Sequence, residues 1–584
     1  MPEGFVPTGA NPIAIDLGGD QDVTDADLPL QQRTASIDIG QGAALMFTDS
    51  DGTKVTVRMI GGTATVQVVG TGLAVAQDAR GATVTGQATA GGQDVKIADI
   101  QLLTGGATAM LMITGYGGDR RITVDKISGS VVLSMLNARS ADLTGEGIAL
   151  TGDGAIRTIY VGDLLNGADI AAPGAVTGSV TVMAGQIGAN SNMTFGSPLG
   201  LLSIPGWAGP GTLTAPSAGT IMSRGDFGAD VNLTGAGATG NSVNVFYCLG
   251  SLDGADLTFA GAAGTIMGNA WTVGSLTALR AATVMIRGNM GANVTMTGQN
   301  TAGTSLNMFY AMGDVAGSVV NLAGAAGVIY ARSWTGGSIQ ALYVGSLLTT
   351  RGAFGADVNL TGANAAGNSL NLLSSAGAVN SASIVLAGGA GSIIAPAWAV
   401  GQFTARNVSM FMSRGDFTGN VNLTGQNRAG SSLNVFYVMG EMNGGLVRTR
   451  GGIGTAMIGS MQNSGVYACV LDGVAGMSGA GATAAEYFAA PLAGMQTPAI
   501  RMLMISRAAG VFANSVVAGP SMGTVILRGV ATDNGDAAFG LVADTGITML
   551  TRYRDGAAPS TARNVVAGLV DTLPAEDDFQ VAVL

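Results

Sequence analysis

Short apolar segments alternate with turn residues along most of the chain, and within each segment apolar and polar positions alternate. Such segments begin near Thr220, Val243, Thr265 and Thr283, at intervals that average about 21 residues. They are rich in β-branched and aromatic residues and end at glycine, as strands do. The pattern predicts an all-β chain folded as a parallel β-helix (β-solenoid), in which each coil pairs only with its neighbours.

A longer repeat of 63–64 residues contains the short one three times, so we expect three coils per repeat. About five copies fill residues 150–470. At a strand spacing of about 4.8 Å, each copy advances about 14 Å along the solenoid. The markers of the repeat are Trp207, Trp271, Trp334 and Trp398; Arg224, Arg287, Arg351 and Arg414; and Asn244, Asn307, Asn371 and Asn434.

Each set of markers has an expected place in the coil. We expect the four tryptophans to lie on one line along the solenoid. The asparagines should bond to backbone groups and neighbouring Asn amides at a corner between strand and turn. The arginines should lie at a turn corner with Asp226 and Asp416 as local partners, and a binding track for an acidic glycan is the alternative.

A Phe-Tyr pair recurs in the repeat and predicts one inner and one outer column. Adjacent strand residues point to opposite faces, and we expect phenylalanine inside. The outer tyrosines are then interface candidates, because tyrosine is enriched at protein contacts; ordinary solvated surface is the alternative. The inner column is Phe246, Phe309, Leu373 and Phe436, and the outer tyrosines are Tyr247, Tyr310 and Tyr437.

The repeat also sets the expected domain boundaries. Residues 1–34 form an acidic lead segment, 35–130 a β-rich region, 131–480 the solenoid with the long repeats, and 481–584 its continuation and a terminal strand. Phe579, Val581 and Val583 lie in that strand-like tail. We expect the tail to pair onto a neighbouring subunit by strand addition, which would make these three residues interface candidates.

Several phrases of the sequence resemble a known group of proteins. They are FTDSDGTKVTVRM (residues 47–59), ADLTGEGIALTG, LLNGADI and the serial APSAGTIMSRGDFGADVNLTG blocks. Together they resemble large, Gly-rich, secreted repeat proteins of planctomycete-type bacteria, over roughly residues 35–430. The resemblance implies a right-handed β-helix and an exported, surface or matrix location, and it implies no catalytic residues.

The composition limits the kinds of catalysis and binding that the chain can support. Of the 584 residues, 47% are apolar and only 11% are charged, where soluble domains average about 25%. The absence of histidine removes Ser-His-Asp catalysis and the usual zinc sites. A net charge of −11 argues against a nucleic-acid partner, and no apolar run predicts a membrane span. Cys248 and Cys469 lie in unlike contexts, so neither is expected to be catalytic or metal-binding.

Two acidic clusters are candidates for calcium. Asp49 and Asp51 in TDSDGT place hard oxygen ligands around a turn, as calcium prefers, although Asp-Gly is also ordinary hairpin chemistry. The lead segment carries a second cluster, Asp20, Asp22, Asp25 and Asp27. No other cofactor is expected.

The acids within the repeat do not suggest catalysis. A glycosidase needs two convergent carboxylates, which would stand out from the repeat. Asp226 and Asp416 instead correspond to Asn289 and Ala353 in sister copies.

Three classes of function are therefore compatible with the sequence. The leading hypothesis is a non-catalytic structural subunit of a self-assembling extracellular or cell-surface fibre or lattice, whose partner is itself. A surface adhesin or glycan-binding solenoid, with cell-surface polysaccharide as its partner, is the alternative. A polysaccharide-degrading enzyme is the third.

Overall fold

The computed structural model describes residues 5–7, 30–477, 483–506, 511–553, 559–567 and 577–584. The chain is nearly all β, with 61% strand and 1% helix, and forms a parallel β-solenoid of about 21 turns at about 21-residue spacing. The expected fold class is confirmed. No helix in the described ranges has the length and apolar character to span a membrane. The chain divides into two compact units, Met1–Leu279 and Arg280–Leu584, and each is described by itself.

The first unit begins with antiparallel strands. Lys54–Ile60 pairs with both Ala44–Thr48 and Gly106–Tyr116, and Thr63–Gly70 pairs with both Thr34–Gly40 and Val95–Thr104. Alternating burial along these strands places one face of each in the core. The remaining strands of this region are Phe5–Pro7, Leu30–Gln32, Ala74–Asp78 and Gly81–Thr85.

Parallel coils follow, and each contributes one strand to each of two sheets. In the first unit, the first sheet contains Val132–Ala138, Ala155–Ile156, Thr158–Val161, Val180–Met183, Leu199–Ile204, Ala218–Ser223, Asn241–Cys248 and Ala262–Gly268. The second sheet contains Ile122–Gly129, Ala141–Leu150, Asp169–Ala172, Asn192–Phe195, Thr212–Ala215, Asp230–Leu233, Asp256–Phe259 and Ser275–Ala278.

The second unit has the same arrangement. Its first sheet contains Ala281–Ile286, Thr304–Ala311, Ala325–Ala331, Val344–Thr349, Asn368–Ser375, Gly389–Ala395, Val408–Ser413, Ser431–Asn443, Gly452–Gln462, Ile500–Ile505, Ser521–Arg528, Gly546–Tyr553 and the antiparallel Ser560–Val565. Its second sheet contains Asn293–Met296, Val319–Leu322, Ser338–Ala341, Asp357–Leu360, Val379–Leu386, Trp398–Ala405, Asn420–Leu423, Leu446–Thr449, Gly465–Ala468, Val516–Ala518, Phe539–Ala543 and Phe579–Val583. Short strands at Asp314–Ala316, Ser333–Thr335 and Phe512–Ala513 lie on the third side, and the helix is Ala484–Tyr487.

The three coils of one repeat differ in length. In the second unit, Thr283 pairs with Met308, Met308 with Val328, and Val328 with Ser346, which are steps of 25, 20 and 18 residues. The next repeat continues from Ser346 through Leu372, Ser392 and Met410 in steps of 26, 20 and 18 residues. The constant 63–64-residue period is therefore produced by unequal corner loops.

The tryptophans lie in a buried column on the third side of the coil. In the first unit, parallel bridges join Ile187 to Trp207 and Trp207 to Phe227. The column continues from Phe227 through Leu252 to Trp271. The N–H of Phe227 donates to the carbonyl of Ser251, and the N–H of Leu252 donates to the carbonyl of Ala270. In the second unit, bridges join Trp334 to Phe354, Phe354 to Val379, and Trp398 to Phe417. All four indoles are at most 1% exposed, so aromatic rings fill this side of the core.

The C-terminal strand belongs to the solenoid of its own chain. Phe579–Val583 pairs in parallel with Phe539–Ala543. Phe579 is buried against the rings of Phe512 and Phe539, and the guanidinium of Arg552 lies 4.4 Å from its ring centroid. Val581 is also buried and Val583 is half-buried. Phe579 and Val581 therefore face the chain's own core, and the pairing of this strand onto a neighbouring subunit stays a prediction.

Candidate functional site

The Phe-Tyr pairs lie on strands of the first sheet, with phenylalanine inside as expected. Phe246, Phe309 and Phe436 are at most 1% exposed, whereas the tyrosine that follows each one lies on the outer side and is half-buried. Tyr310 stacks on Tyr330 of the next coil, with ring centroids 4.2 Å apart and planes inclined by 16°. The outer tyrosines are Tyr247, Tyr310 and Tyr437.

Two columns of outward side chains run along the first sheet of the second unit. Each residue pairs with the residue of the same column in the next coil. The residues between the columns, such as Phe309 and Leu347, are buried, so both columns face outward. We call these residues the Met–Tyr face: Thr283, Met308, Val328, Ser346, Leu372, Ser392, Met410, Val435 and Thr455 in one column, and Met285, Tyr310, Tyr330, Leu348, Ser374, Ile394, Met412, Tyr437 and Met457 in the other.

The Met–Tyr face carries no charged residue. Met308, Val328 and Val435 are 37%, 37% and 36% exposed, so one column of the face presents large apolar side chains to solvent. Sequence reasoning identified only the tyrosines of this face. The signal for the rest was present, because the residue two positions before each tyrosine is apolar and its counterparts recur at the same long period.

The outer side of the second sheet has the opposite chemistry. In the second unit its outward positions carry mainly amides, hydroxyls and an occasional carboxylate, with Val319 and Val385 as exposed apolar exceptions, and the residues between them are buried. Examples are Asp357 and Asn359 around buried Val358, and Asn420 and Asn422 around buried Val421. This polar alternation is ordinary for a sheet with one solvated face, and it makes the Met–Tyr face the exception.

Further along the second unit, the second sheet also becomes apolar on its outer side, and the chain covers it. Tyr467, Val516 and Val542 form a buried cluster with Tyr487 and Phe488, which lie in an excursion of the chain at 469–499. The Tyr487 hydroxyl donates to the carbonyl of Gly476 at 2.6 Å, and the N–H of Gly476 donates to the Tyr467 hydroxyl. Covering such a patch removes apolar surface from water, which is favourable.

The arginine markers are exposed and follow strands of the first sheet, but their expected partners are engaged elsewhere. Oδ1 of Asp226 accepts the N–H of Ser251, and Oδ1 of Asp416 accepts the N–H of Glu441, both at 2.8 Å. In the described part of the chain, the ion pairs join Arg121 to Asp142 and Asp163, Lys126 to Glu146, and Arg332 to Asp314. The expected pairing of Arg224 and Arg414 with these two aspartates is therefore wrong.

The equivalent residue in another copy of the repeat shows why these aspartates do not pair with arginine. Oδ1 of Asn289 accepts the N–H of Asp314 at 3.1 Å, in the same way as Asp226 and Asp416 accept theirs. In these three copies the side chain accepts a backbone donor of the next coil, and an amide does so as well as a carboxylate does. These side chains thus satisfy the backbone between coils.

The asparagine markers bond to asparagine side chains at the start of their own strand or in the corner loop before it. Oδ1 of Asn371 accepts amide N–H groups from Asn364 at 2.9 Å and Asn368 at 3.4 Å. Oδ1 of Asn434 accepts from Asn427 at 2.9 Å, and Asn244 is bonded in the same way to Asn241. The expected bonding to neighbouring amides is confirmed at these three markers, while Asn307 is exposed on its strand.

The calcium candidates Asp49 and Asp51 lie in the turn between two antiparallel strands. Oδ1 of Asp49 accepts the N–H groups of Asp51 and Thr53, and the Asp51 carboxylate accepts those of Thr53 and Asp119. No group of three or more Cys, Asp or Glu side chains within the described ranges is placed to hold a metal ion. Calcium binding at this turn stays a prediction, and the cluster Asp20, Asp22, Asp25 and Asp27 lies outside the described residues.

The same turn gives a pH-dependent expectation. Burial, followed by the hydrogen bond with Asp51, raises the pKa of Asp49 from 3.8 to about 6. The hydrogen bond from Asp49, followed by the backbone N–H of Asp119, holds the pKa of Asp51 below its usual value. A raised carboxyl pKa contributes stability that is present below the unfolded pKa and is lost as the pH rises through the folded pKa.

We therefore expect Tm of the natural chain to fall, relative to that of Asp49→Asn, between about pH 4 and pH 6.5, and the difference to be constant above that range. The asparagine amide keeps the Oδ1 acceptor but cannot ionise. The difference between the two proteins therefore reports the ionisation of Asp49 alone, because the other acids are common to both. The lowered pKa of Asp51 affects stability at pH values below this range. Thermal unfolding of both proteins across the range measures the difference. If the difference in Tm between the two proteins is the same at every pH, the raised pKa of Asp49 is contradicted.

Both cysteines are buried free thiols at structural positions. Burial raises the pKa of Cys248 and of Cys469 to about 11, which keeps them protonated at neutral pH. The Cys248 thiol donates to the carbonyl of Gly225, and the Cys469 thiol to that of Arg450, both at 3.2 Å. Their surroundings are those of inert core thiols.

No protein-family model, curated protein or solved structure matches the chain.

Proposed function

We propose that the chain is a non-catalytic structural subunit that associates with copies of itself into a fibre or lattice outside the cell or at its surface. The observation that carries the proposal is the Met–Tyr face, an uncharged and largely apolar surface along nine successive strands of the first sheet. Contiguous apolar surface on a soluble protein generally marks an interaction site. The low charge of the whole chain, 11% of residues, is consistent with a surface partly covered by other molecules.

The polar groups support a scaffold role. Asp142 and Asp163 each accept a backbone N–H of the following coil, at 2.7 and 2.8 Å, as Asp226 and Asp416 do. Carboxylates used in this way hold coils together, whereas hydrolysis of a glycoside requires a pair of carboxyl groups facing one substrate bond. We accordingly propose that the chain has no hydrolytic activity.

A glycan-binding adhesin is the second candidate, and the outer side of the second sheet favours it. Asn321, Gln340, Asn359 and Asn422 are exposed there in regular order, and amides are suitable hydrogen-bond partners for sugar hydroxyls. The exposed arginine markers would add attraction for an acidic polysaccharide. This candidate needs no self-association, which separates it experimentally from the first.

Sedimentation velocity and negative-stain microscopy of the purified chain test the proposal over a wide concentration range. We expect particles larger than the 57.8 kDa chain, whose association survives about 1 M salt because the proposed contact is uncharged. A panel of insoluble polysaccharides is incubated in parallel and assayed for binding and for released sugar. A chain that stays single at every concentration but binds a polysaccharide would refute the structural role and support the adhesin, and released sugar would refute the absence of catalysis.

A further inference from the structure

We infer that the Met–Tyr face packs against the Met–Tyr face of a second copy, so that copies associate side by side. This inference rests on the proposed self-association and specifies its surface. The occupant is a second copy of this chain, and the contact joins two sheet faces rather than two chain ends.

The size of the face suits a stable contact. Nine strands, each about 4.8 Å wide, cover about 43 Å, and two outward positions per strand cover about 14 Å. The face therefore measures about 600 Å², and two copies together would bury about 1,200 Å². That area lies within the range of specific protein interfaces, about 1,200–2,000 Å².

The chemistry of the face favours self-pairing. Without charged residues, two such faces meet without repulsion and without desolvating an ion. Tyrosine and methionine are enriched in interface cores, and the flexible methionine side chain adapts to an opposing surface. A face that binds its own copy must be self-complementary about a two-fold axis, and two rows of uncharged, mainly apolar side chains on a regular sheet are compatible with that condition.

Elsewhere in the second unit, apolar side chains on the outer side of a sheet are covered by another part of the chain. Where the second sheet carries Tyr467, Val516 and Val542 outward, Tyr487 and Phe488 from the excursion cover them. On the Met–Tyr face, Met308, Val328 and Val435 keep more than a third of their surface exposed. The polar outer side of the second sheet is better suited to bind a sugar. We therefore assign the Met–Tyr face to a contact with another protein surface.

Charges placed on the face test the inference. Met308→Lys and Val435→Lys are combined, because both side chains already reach solvent and occupy the same column two repeats apart. The matched control combines Asn359→Lys and Asn422→Lys, which add the same charge to exposed positions of the second sheet. Far-ultraviolet circular dichroism verifies that both proteins keep their strands.

We expect the face variant to sediment as the single 57.8 kDa chain, with self-association weakened at least about 100-fold, while the control assembles like the natural chain. If the natural chain, the face variant and the control all assemble alike, the face is not the contact, and the proposed function survives. If the natural chain never assembles, the proposed function itself is refuted. Loss of polysaccharide binding in the face variant, with assembly unchanged, would reassign the face to a glycan.

Discussion

Replacing Trp398 with alanine is expected to destabilise the second unit by about 3–5 kcal/mol. The indole is 1% exposed and lies among aromatic rings, with its centroid 4.9 Å from that of Phe411 and 6.2 Å from that of Phe403. Its Nε1 has no hydrogen-bond partner among the described residues, so the loss is one of packing and of the cavity left behind.

The effect should be local, because each coil of a solenoid contacts only its neighbours. Hydrogen exchange is the suitable measurement, since long repeat arrays need not unfold in one step. We expect faster exchange in Val379–Leu386 and Asn420–Leu423, the strands on either side of Trp398–Ala405. Arg414→Gln, at an exposed marker, is the control and should change stability by no more than about 0.5 kcal/mol. A loss below about 1 kcal/mol in Trp398→Ala would contradict the packing described for this side of the core.

Gly391→Ala is expected to destabilise the same unit by about 1–3 kcal/mol, although only a methyl group is added. A Cβ at Gly391 would approach the backbone carbonyl oxygen of Asn371, one coil earlier, well inside the 3.0 Å that real Cβ atoms keep. That oxygen belongs to the sheet and cannot rotate away as a side chain could. Gly327 and Gly454 have the same relation to Asn307 and Asn434, so a glycine follows each of these asparagine markers by one coil.

Gly106→Ala is the matched control for that substitution. A Cβ at Gly106 would meet no atom within 4 Å, and the residue also lies in a strand. Replacing glycine without strain reduces the freedom of the unfolded chain, so stability should stay the same or rise by up to about 1 kcal/mol. Equal effects of the two substitutions in chemical denaturation would show that the close approach at Gly391 does not limit packing.

The coil count and the inner and outer positions could be predicted from sequence because both are local patterns repeated many times. Phe436 and Tyr437 are adjacent, and strand geometry alone sends them to opposite sides. The individual coil lengths could not be predicted from the long period, since corner loops of different size compensate within each repeat. Contacts between coils were the weakest part of the prediction. Asp416 resembles a partner for Arg414 two residues away, whereas its acceptor role depends on Glu441 in the next coil.

The covered patch of the second sheet illustrates the same limit. Tyr487 and Phe488 precede Val516 by nearly 30 residues, and nothing in their immediate sequence indicates the surface against which they pack. The C-terminal strand illustrates a related limit. An apolar alternating segment such as Phe579–Val583 suits any sheet edge, and the chain's own core provided the edge.

The direction of the backbone hydrogen bonds has a mechanical consequence. In the second unit they join each strand to the equivalent strand of the next coil, for example Val344–Thr349 to Asn368–Ser375, and so run along the direction in which coils stack. A pulling force in that direction loads the bonds of one coil boundary together, and the weakest boundary opens first. A released coil of about 21 residues, fully extended, adds about 70 Å of length. Under tension the molecule would lengthen in discrete steps, one coil at a time, and each step would dissipate work while the remaining coils stay folded.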